Sequence, residues 1–251
     1  MSEQVVIEVC ADSVASAVAA ERGGAQRVEL CSDLLEGGVT PSAGLMELVR
    51  STVSIGLHPI IRPRAGDFCY TSEEFDIMCR DVESAKAACA DGVVFGILDP
   101  DGKVDLRRVR QLIELSRPLS VTFHRAFDLS ADLFQSLEDV CSTGAERLLT
   151  SGGEQTCLQG VTAISRLVGL SRNRIRIMAG GSIGLDNAAR IIERTGVTEI
   201  HVSLGSPVTS PMVYRNPRIS LGKAHGREYD RMQVVEENVR SLRQAISALI
   251  R

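Results

Sequence analysis

Residues 119–151 read LSVTFHRAFDLSADLFQSLEDVCSTGAERLLTS and contain one complete repeat of the pattern that decides the fold. Residues 119–126, in which apolar or aromatic side chains alternate with polar ones, predict a strand. Apolar side chains then recur at helical spacing on one face, at Leu133, Phe134, Leu137 and Val140. The next strand is predicted at 147–151, so the stretch is typical of a βαβ unit in a parallel sheet.

The same strand and helix pair recurs along the whole 251-residue chain. The predicted strands are 5–11, 27–31, 58–63, 93–98, 119–126, 147–151, 176–180 and 199–204. We therefore predict an α/β fold, a TIM (β/α)8 barrel, as a single domain over residues 1–251. An open doubly wound sheet has the same alternation. The barrel is favoured because no strand reads as an edge and no glycine-rich dinucleotide loop follows the first strand.

A long connection, residues 205–227, separates the eighth predicted strand from the last helix. The predicted helix has apolar residues at steps of three and four, at Met232, Val235, Val239, Leu242, Ile246 and Leu249. A connection of this length in a compact domain usually has a function. We expect a lid or a contact between subunits.

The charge pattern argues against polyanionic partners. The net charge is -4, and the basic residues are scattered, so we expect no nucleic acid and no membrane as partner. The first residues do not resemble a signal peptide, which predicts a cytoplasmic location. Seven cysteines without a CxxC pair argue against a disulfide framework and a structural zinc site. No organic cofactor is expected.

Two predicted strands end alike, the first with Glu8 and Cys10 and the second with Glu29 and Cys31. Because side chains alternate along a strand, each Glu shares a face with its Cys. If that face points inward, two thiols converge at a separation suited to a linear cuprous site, since soft thiolates select Cu(I). The alternative is that both cysteines pack as small hydrophobic side chains.

A carboxylate facing the barrel interior must be paired or have a raised pKa, and either state suits acid–base work or cation binding. Arg62 and Arg64 follow the third strand at alternate positions. Arg62 is a candidate to neutralise Glu29 or Glu8, and both arginines are candidates to hold an anionic substrate. Internal salt bridges at the barrel mouth are the alternative.

Two histidines lie near strand ends, His124 after the fifth strand and His201 on the eighth. Each is a candidate general base, ligand or hydrogen-bonded core residue. Glycine-rich turns follow the last three strands and include Gly180 and Gly181, which suit phosphate or carboxylate binding by backbone N–H groups or are ordinary tight turns. The predicted anion-binding set is completed by the polar residues Arg125, Asp128 and Ser151.

Six motifs together resemble one known family. They are residues 8–13 (EVCADS), 24–31 (GAQRVELC), 36–42 (EGGVTPS), 61–68 (IRPRAGDF), 121–128 (VTFHRAFD) and 149–152 (LTSG). They look like signatures of the CutC family of copper homeostasis proteins, and the resemblance covers nearly the whole chain. It implies a barrel that forms a homo-oligomer, dimer or tetramer, in the cytoplasm, and in the nucleus as well if the source is an animal. It also implies Cu(I) ligands at the positions of Cys10 and Cys31.

Two functions follow from these residues. The first is copper homeostasis, with Cu(I) bound by the thiolates of Cys10 and Cys31 at the barrel mouth. The second is an enzyme acting on a small anionic or phosphorylated metabolite, with Glu8, Glu29 and His124 as acid–base groups. Copper binding assigns no role to the arginines and glycine-rich loops, whereas the enzyme hypothesis assigns a role to both.

Overall fold

The computed structural model describes residues 5–221 and 228–249 and contains the predicted barrel. Eight parallel strands form one sheet: β1 (Val6–Ala11), β2 (Arg27–Leu30), β3 (Gly56–Pro59), β4 (Gly92–Phe95), β5 (Ser120–Phe123), β6 (Arg147–Thr150), β7 (Arg176–Gly180) and β8 (Glu199–Val202). Their order is β3-β2-β1-β8-β7-β6-β5-β4. The sheet closes between β3 and β4, where Ile60 bridges Val94 and the Ile61 N–H donates to the Val94 carbonyl at 2.8 Å.

Helices cover the outside of the barrel. They are α1 (Val14–Gly23), α2 (Ala43–Thr52), α3 (Ser72–Ala87), α4 (Leu106–Ser116), α5 (Leu133–Cys141), α6 (Val161–Ser171), α7 (Ala188–Thr195) and α8 (Glu236–Leu249). A capping box opens α3, where Thr71 and Glu74 each accept from the other's backbone N–H. Within 5–221 and 228–249, none of the helices has the length and apolarity needed to cross a bilayer.

The strands are short and buried on both faces, as parallel strands under helices must be. All four residues of β4 are buried, although it begins with a glycine. A Cβ on Gly92 would lie 2.5 Å from the His58 ring, so the glycine makes space for a side chain of the neighbouring strand β3. Apolar packing between the strands and helices holds the strand ends at fixed positions around one mouth.

The long connection differs from the prediction. It contains an antiparallel hairpin of β9 (Gly205–Thr209) and β10 (Asp230–Val234), which sequence reasoning missed. Met232, predicted to open the last helix, lies in β10, and α8 begins at Glu236. The helical spacing of Met232 was misleading because hydrogen bonding to β9 holds this segment extended. Residues 222–227 of the predicted connection lie outside the described residues.

Several strands also end earlier than predicted, among them β4 at Phe95 against 98, β8 at Val202 against 204, and β3 and β5. β3 ends at Pro59, whereas the sequence predicted 58–63, although Ile60 and Ile61 continue single hydrogen bonds to both neighbouring strands. β5 ends at Phe123, because the His124 ring accepts from the Ala126 N–H and starts a 3₁₀ turn there. After both strand ends, the side chains that follow no longer alternate between the two faces of the sheet.

Candidate functional site

A cavity of about 300 Å³ lies where the parallel strands end, the end at which barrel enzymes hold their sites. Its walls come from the ends of β1, β2, β3, β5, β6, β7 and β8 and from the loop after β2. The lining residues are Cys10, Glu29, Leu34, Gly37, Ile60, Arg62, Phe68, His124, Arg125, Leu149, Gly181, Ser182, Ile183, His201 and Ser203. Most of the predicted site residues are therefore cavity neighbours, but several are not.

The ends of β1 and β2 bring a pair of thiols and a carboxyl group together. Cys10 lies beside Glu29 in the parallel register, and strand alternation turns Cys31 to the same face. The Cys10 and Cys31 sulfurs are 3.8 Å apart. Glu29 Oε2 is 3.4 Å from the Cys31 sulfur and 3.7 Å from the Cys10 sulfur. We call Cys10, Cys31 and Glu29 the thiol cluster.

The thiol cluster lies in apolar surroundings. Both cysteines are buried and pack with Ile60, Val94 and the partly buried Leu34 in a small hydrophobic group separate from the main core. The loop that carries Leu34 passes close to Cys31, since a Cβ added at Gly38 would lie 3.1 Å from the Cys31 sulfur. Cys31 is therefore shielded from water, whereas Cys10 lies at the cavity wall, and burial strengthens the interactions of both thiols with neighbouring charges.

His201 on β8 joins the thiol cluster to a deeper layer of charges. Its Nδ1 lies 2.7 Å from Glu8 Oε1, and its Nε2 lies 3.7 Å from Glu29 Oε2. Glu8 does not line the cavity, because it lies beneath His201 and is fully buried. The predicted residues Glu8, Glu29 and His201 thus form one connected chain.

The deeper layer is closed by arginines that sequence reasoning did not select. Arg27 forms ion pairs with Glu8, at short range, and with Glu199 at 2.6 Å. Arg147 approaches the same Glu199 carboxylate at 2.9 Å. The sequence contained a signal that could have selected Arg27, because this residue lies two positions before Glu29 on β2 and so points to the same face. Arg62, predicted to neutralise Glu8 or Glu29, was the wrong partner for Glu8.

The two glutamates have opposite electrostatics. Burial acts against ionisation of Glu8, but Arg27 and His201 outweigh it and hold the pKa of Glu8 well below its usual range. Burial raises the pKa of Glu29 to about 8, because no arginine of the described residues contacts its carboxyl group and His201 offsets only part of the penalty. Glu8 is therefore a carboxylate near neutral pH, and Glu29 is a neutral acid.

The two thiols also differ. The hydrogen bond with Cys31 lowers the pKa of Cys10 to about 6, and His201 adds to this effect against the opposing burial. The same bond and burial raise the pKa of Cys31. Burial opposes protonation of His201, but Glu29, Cys10 and Glu8 raise its pKa. Near neutral pH the pair thus holds one thiolate and one thiol beside an imidazolium.

Arg62 and Arg64 diverge after β3. Arg62 is buried against the cavity and donates to the backbone carbonyls of Glu36, Gly38 and Gly66, each at 2.8 Å. Arg64 does not line the cavity and pairs with other partners, mainly the carboxylate of Glu74 at 2.5 Å. The two side chains do not share a face because the strand ends at Pro59.

Arg125, Asp128 and Ser151 form a network of their own. Asp128 accepts from Arg125 Nε at 2.7 Å, from the Ser151 hydroxyl at 2.9 Å and from the Gly153 N–H at 3.0 Å. Arg125 Nη2 donates to the Ser151 hydroxyl at 2.7 Å. Arg125 lines the cavity, whereas Asp128 and Ser151 hold the turn after β6 in place.

The predicted glycines have different roles. A Cβ on Gly180 would lie 2.6 Å from Leu149 Cδ1 and 3.2 Å from His201 Cβ, so this glycine makes space for cavity side chains. Gly181 lines the cavity at φ +111°, a conformation that favours glycine. Ser182 follows at φ +56°, which is uncommon for a residue with a side chain.

His124 lies across the cavity from the thiol cluster, after β5. Its Nδ1 accepts from the Ala126 N–H at 3.2 Å, so the hydrogen of the neutral ring is on Nε2. Burial lowers the pKa of His124 to about 3. The ring is therefore neutral near pH 7.

Two groups of side chains in the described chain have a geometry suited to a metal ion. The first is the thiol cluster, and the second combines Glu8, Glu29 and His201. Within each group the ligand atoms lie within 4.8 Å of one another. The two share Glu29, and only the first contains the sulfur donors that soft ions prefer.

Residues 5–206 match the family model described as the CutC family. The chain belongs to the CutC family. A CutC family protein from Chromobacterium violaceum is 44% identical, over 96% of this chain and 98% of the relative. The copper homeostasis protein cutC homolog of Mus musculus is 48% identical, over 86% of this chain and 80% of the relative. The resemblance inferred from the six motifs is confirmed.

Solved structures confirm the barrel. A CutC structure from Streptococcus agalactiae is 31% identical, with a TM-score of 0.75, over 79% of this chain and 98% of that one. A thiamine phosphate pyrophosphorylase from Pyrococcus furiosus matches with a TM-score of 0.60 at 17% identity, over 99% of this chain and 98% of that one. At that identity the second likeness concerns the fold alone. This CutC family member is thus a TIM barrel whose family name refers to copper homeostasis.

Proposed function

We propose that this chain acts in copper homeostasis by binding Cu(I) through the thiolates of Cys10 and Cys31. The observation that carries the proposal is a pair of buried sulfurs 3.8 Å apart, with the Glu29 carboxyl group against both. Soft thiolates in apolar surroundings select Cu(I) over harder ions such as Mg²⁺. Copper is the cargo of such a site, and the chain's own residues supply all its ligands.

The sulfur separation favours a bent site over the linear one that the sequence suggested. A metal–thiolate bond is about 2.3 Å long for zinc, so sulfurs on opposite sides of an ion lie about 4.6 Å apart. With bonds of that length, the observed 3.8 Å corresponds to an S–metal–S angle of about 110°. A bent pair leaves a place for a third ligand, and Glu29 Oε2 is the nearest oxygen, which would coordinate only after the carboxyl group loses its proton.

The charges near the thiol cluster also suit Cu(I). Two thiolates and one Cu(I) leave a single negative charge in a buried place. A protonated His201 balances that charge while Glu29 stays neutral, and the pKa directions of both groups support this state. Since Cys31 must lose its proton to bind, copper affinity rises with pH.

The enzyme alternative, with Glu8, Glu29 and His124 as acid–base groups, stays a prediction and receives less support from the site. Glu8 is engaged by Arg27 and His201, so its carboxylate has little basicity left. His124 has a pKa of about 3, far from that of an efficient general base near neutral pH. Glu29 is the one member of the three with a suitable pKa.

The proposal is tested by anaerobic titration with Cu(I) against a chromophoric copper chelator. We expect the natural chain to bind one Cu(I) tightly, and the Cys10→Ser/Cys31→Ser double variant to lose this site. Cys89→Ser is the matched control, because Cys89 is an exposed cysteine outside the cavity. Circular dichroism checks that each variant is folded. Tight stoichiometric binding by a folded double variant would contradict the proposal.

The predicted homo-oligomer and the cytoplasmic location, nuclear as well in an animal, stay predictions. Apolar side chains are exposed in the long connection, at Met212, Val213, Tyr214, Ile219 and Leu221. Apolar side chains on one segment are typical of a contact surface. This supports the expectation that the connection lies between subunits, and light scattering measures the subunit number.

A further inference from the structure

Arg62 is a buried charge without a counterion in the described chain. Its side chain is 5% exposed and lines the cavity. Its guanidinium donates to three backbone carbonyls and lies 5.0 Å from the Phe68 ring, but it forms no ion pair with a described carboxylate. Nε donates to no described group. Guanidinium is charged at every physiological pH, so this burial is unfavourable until an anion arrives.

A second set of unmatched donors lies on the far side of the cavity, in the loop after β7. The backbone N–H groups of Ser182 and Ile183 donate to no described acceptor. Ser182 has a positive φ, and such strain in a cavity wall is typical of a ligand-binding loop. Neutral N–H groups of this kind bind oxyanions and other oxygen acceptors.

The size of the cavity exceeds what copper needs. About 300 Å³ is the lower end of the range for small-molecule sites, and it corresponds to the volume of about ten water molecules. Between the two donor groups the walls are mostly apolar, with Ile60, Phe68, Leu149 and Ile183 among the lining residues. A ligand with polar ends and a short carbon body fits this distribution.

We infer that the cavity binds a small organic acid with oxygen-rich groups at both ends, one of them an oxyanion that balances the charge of Arg62. The second end accepts hydrogen bonds from the loop after β7, and the carbon body packs on the apolar walls. The oxyanion is a carboxylate or a phosphate group. This inference uses residues outside the thiol cluster and goes beyond the copper proposal.

Isothermal titration calorimetry with four defined probes tests the inference. Glutarate has a carboxylate at each end, phosphonoacetate has a phosphonate and a carboxylate, butyrate has one charged end, and glutaramide has none. We expect glutarate or phosphonoacetate to bind more tightly than butyrate and glutaramide, and the tighter of the two identifies the oxyanion. Equal binding of all four probes, or no binding of the two-ended acids, would overturn the inference.

Arg62→Met should weaken binding of the better acid at least about tenfold, since it removes a charge-assisted interaction. The matched control is Arg64→Gln, because Arg64 is two residues away, pairs with Glu74 and does not line the cavity. Unchanged affinity in a folded Arg62→Met variant contradicts the inference. If that variant does not fold, a crystal structure of the natural chain with phosphonoacetate decides, because density away from Arg62 overturns the assignment.

The copper proposal and this inference fail separately. The Cys10→Ser/Cys31→Ser variant should keep or strengthen its acid affinity, since it removes the negative charge of the Cys10 thiolate from the cavity that the acid enters. Loss of acid binding in the double variant, with the fold intact, would show that the thiol cluster holds the ligand, contrary to its assignment to residues outside that cluster. That result would overturn the inference and leave copper binding untouched.

Discussion

Glu8 and Glu29 occupy equivalent places on neighbouring strands, yet they have opposite surroundings. Each lies two residues before a cysteine at a strand end, and both are buried. Glu8 contacts Arg27 and His201 directly, so its carboxylate is compensated. Glu29 contacts two thiols and a more distant histidine, so its carboxyl group is neutral near pH 7.

The difference separates a structural layer from a functional one. Around Glu8, charges of both signs are paired by residues of the barrel itself, which fixes the strands relative to one another. Around Glu29, the protein supplies polar groups without completing their interactions. A ligand site at the end of a rigid scaffold requires polar groups that still lack partners, because the ligand then completes their hydrogen bonds and ion pairs.

The largest expected effect comes from removing the charge that compensates Glu8. Arg27→Met removes the arginine partner of the buried Glu8 carboxylate, which keeps only its contact with His201 among the described residues, and one of the arginine partners of Glu199. Breaking a buried ion pair in this way lowers the free energy of unfolding by about 3–5 kcal/mol. Urea denaturation followed by circular dichroism measures the loss.

The control for Arg27→Met is the double variant Glu8→Gln/Arg27→Met, which should recover part of the stability because one unpaired charge is gone. A loss below about 1 kcal/mol in Arg27→Met would mean that the two layers do not differ in the way described, since surface ion pairs have effects of that size.

A smaller effect is expected at Gly180, which keeps space for the histidine between the two layers. The Cβ of Gly180→Ala would press on Leu149 and His201. Overpacking of this kind lowers the free energy of unfolding by about 1–3 kcal/mol. Gly169→Ala on α6 is the matched control, because nothing lies within 4 Å of the added Cβ and alanine favours a helix. Equal stability of the two variants would argue against the packing role.

The barrel was predictable because its signal is repeated eight times and depends on local periodicity. The hairpin of β9 and β10 was not, since its two strands are separated by a long segment and Met232 happened to match a helical spacing. Boundaries such as the end of β5 depended on a side-chain cap at His124, which propensity does not reveal. Specific hydrogen bonds decided these cases, between distant segments in the hairpin and within a local turn at His124.

The candidate site was predictable where strand alternation alone decides the outcome. Alternation brought Cys10, Cys31 and Glu29 together, as the sequence suggested. It failed for the partner of Glu8, because choosing between Arg27 and Arg62 requires the register of β1 against β2 and the exact end of β3. Long side chains after a strand end follow the loop, so spacing does not predict their direction.

The smallest and most specific effect concerns the pH dependence of stability. The pKa of Glu29 is about 8 in the native state against 4.5 unperturbed, so between these values the native chain holds a proton that the unfolded chain has released. That proton stabilises the native state fully below about pH 4.5, and its contribution is lost as the pH rises toward 8. Glu29→Gln has no such proton.

Between pH 5 and 6, the natural chain should therefore lose stability relative to Glu29→Gln by up to about 1.4 kcal/mol per pH unit. Cys10, with its pKa lowered to about 6, and His201, with its pKa raised above 6.5, begin to affect stability near the upper end of this window, but both are present in the two chains, so the comparison with Glu29→Gln subtracts their contribution to first order. Urea midpoints at three pH values provide the measurement, and parallel curves would contradict the neutral state of Glu29. Glu8 has a lowered pKa, so its contribution is lost only as the pH falls below about 4.5, the opposite direction from Glu29.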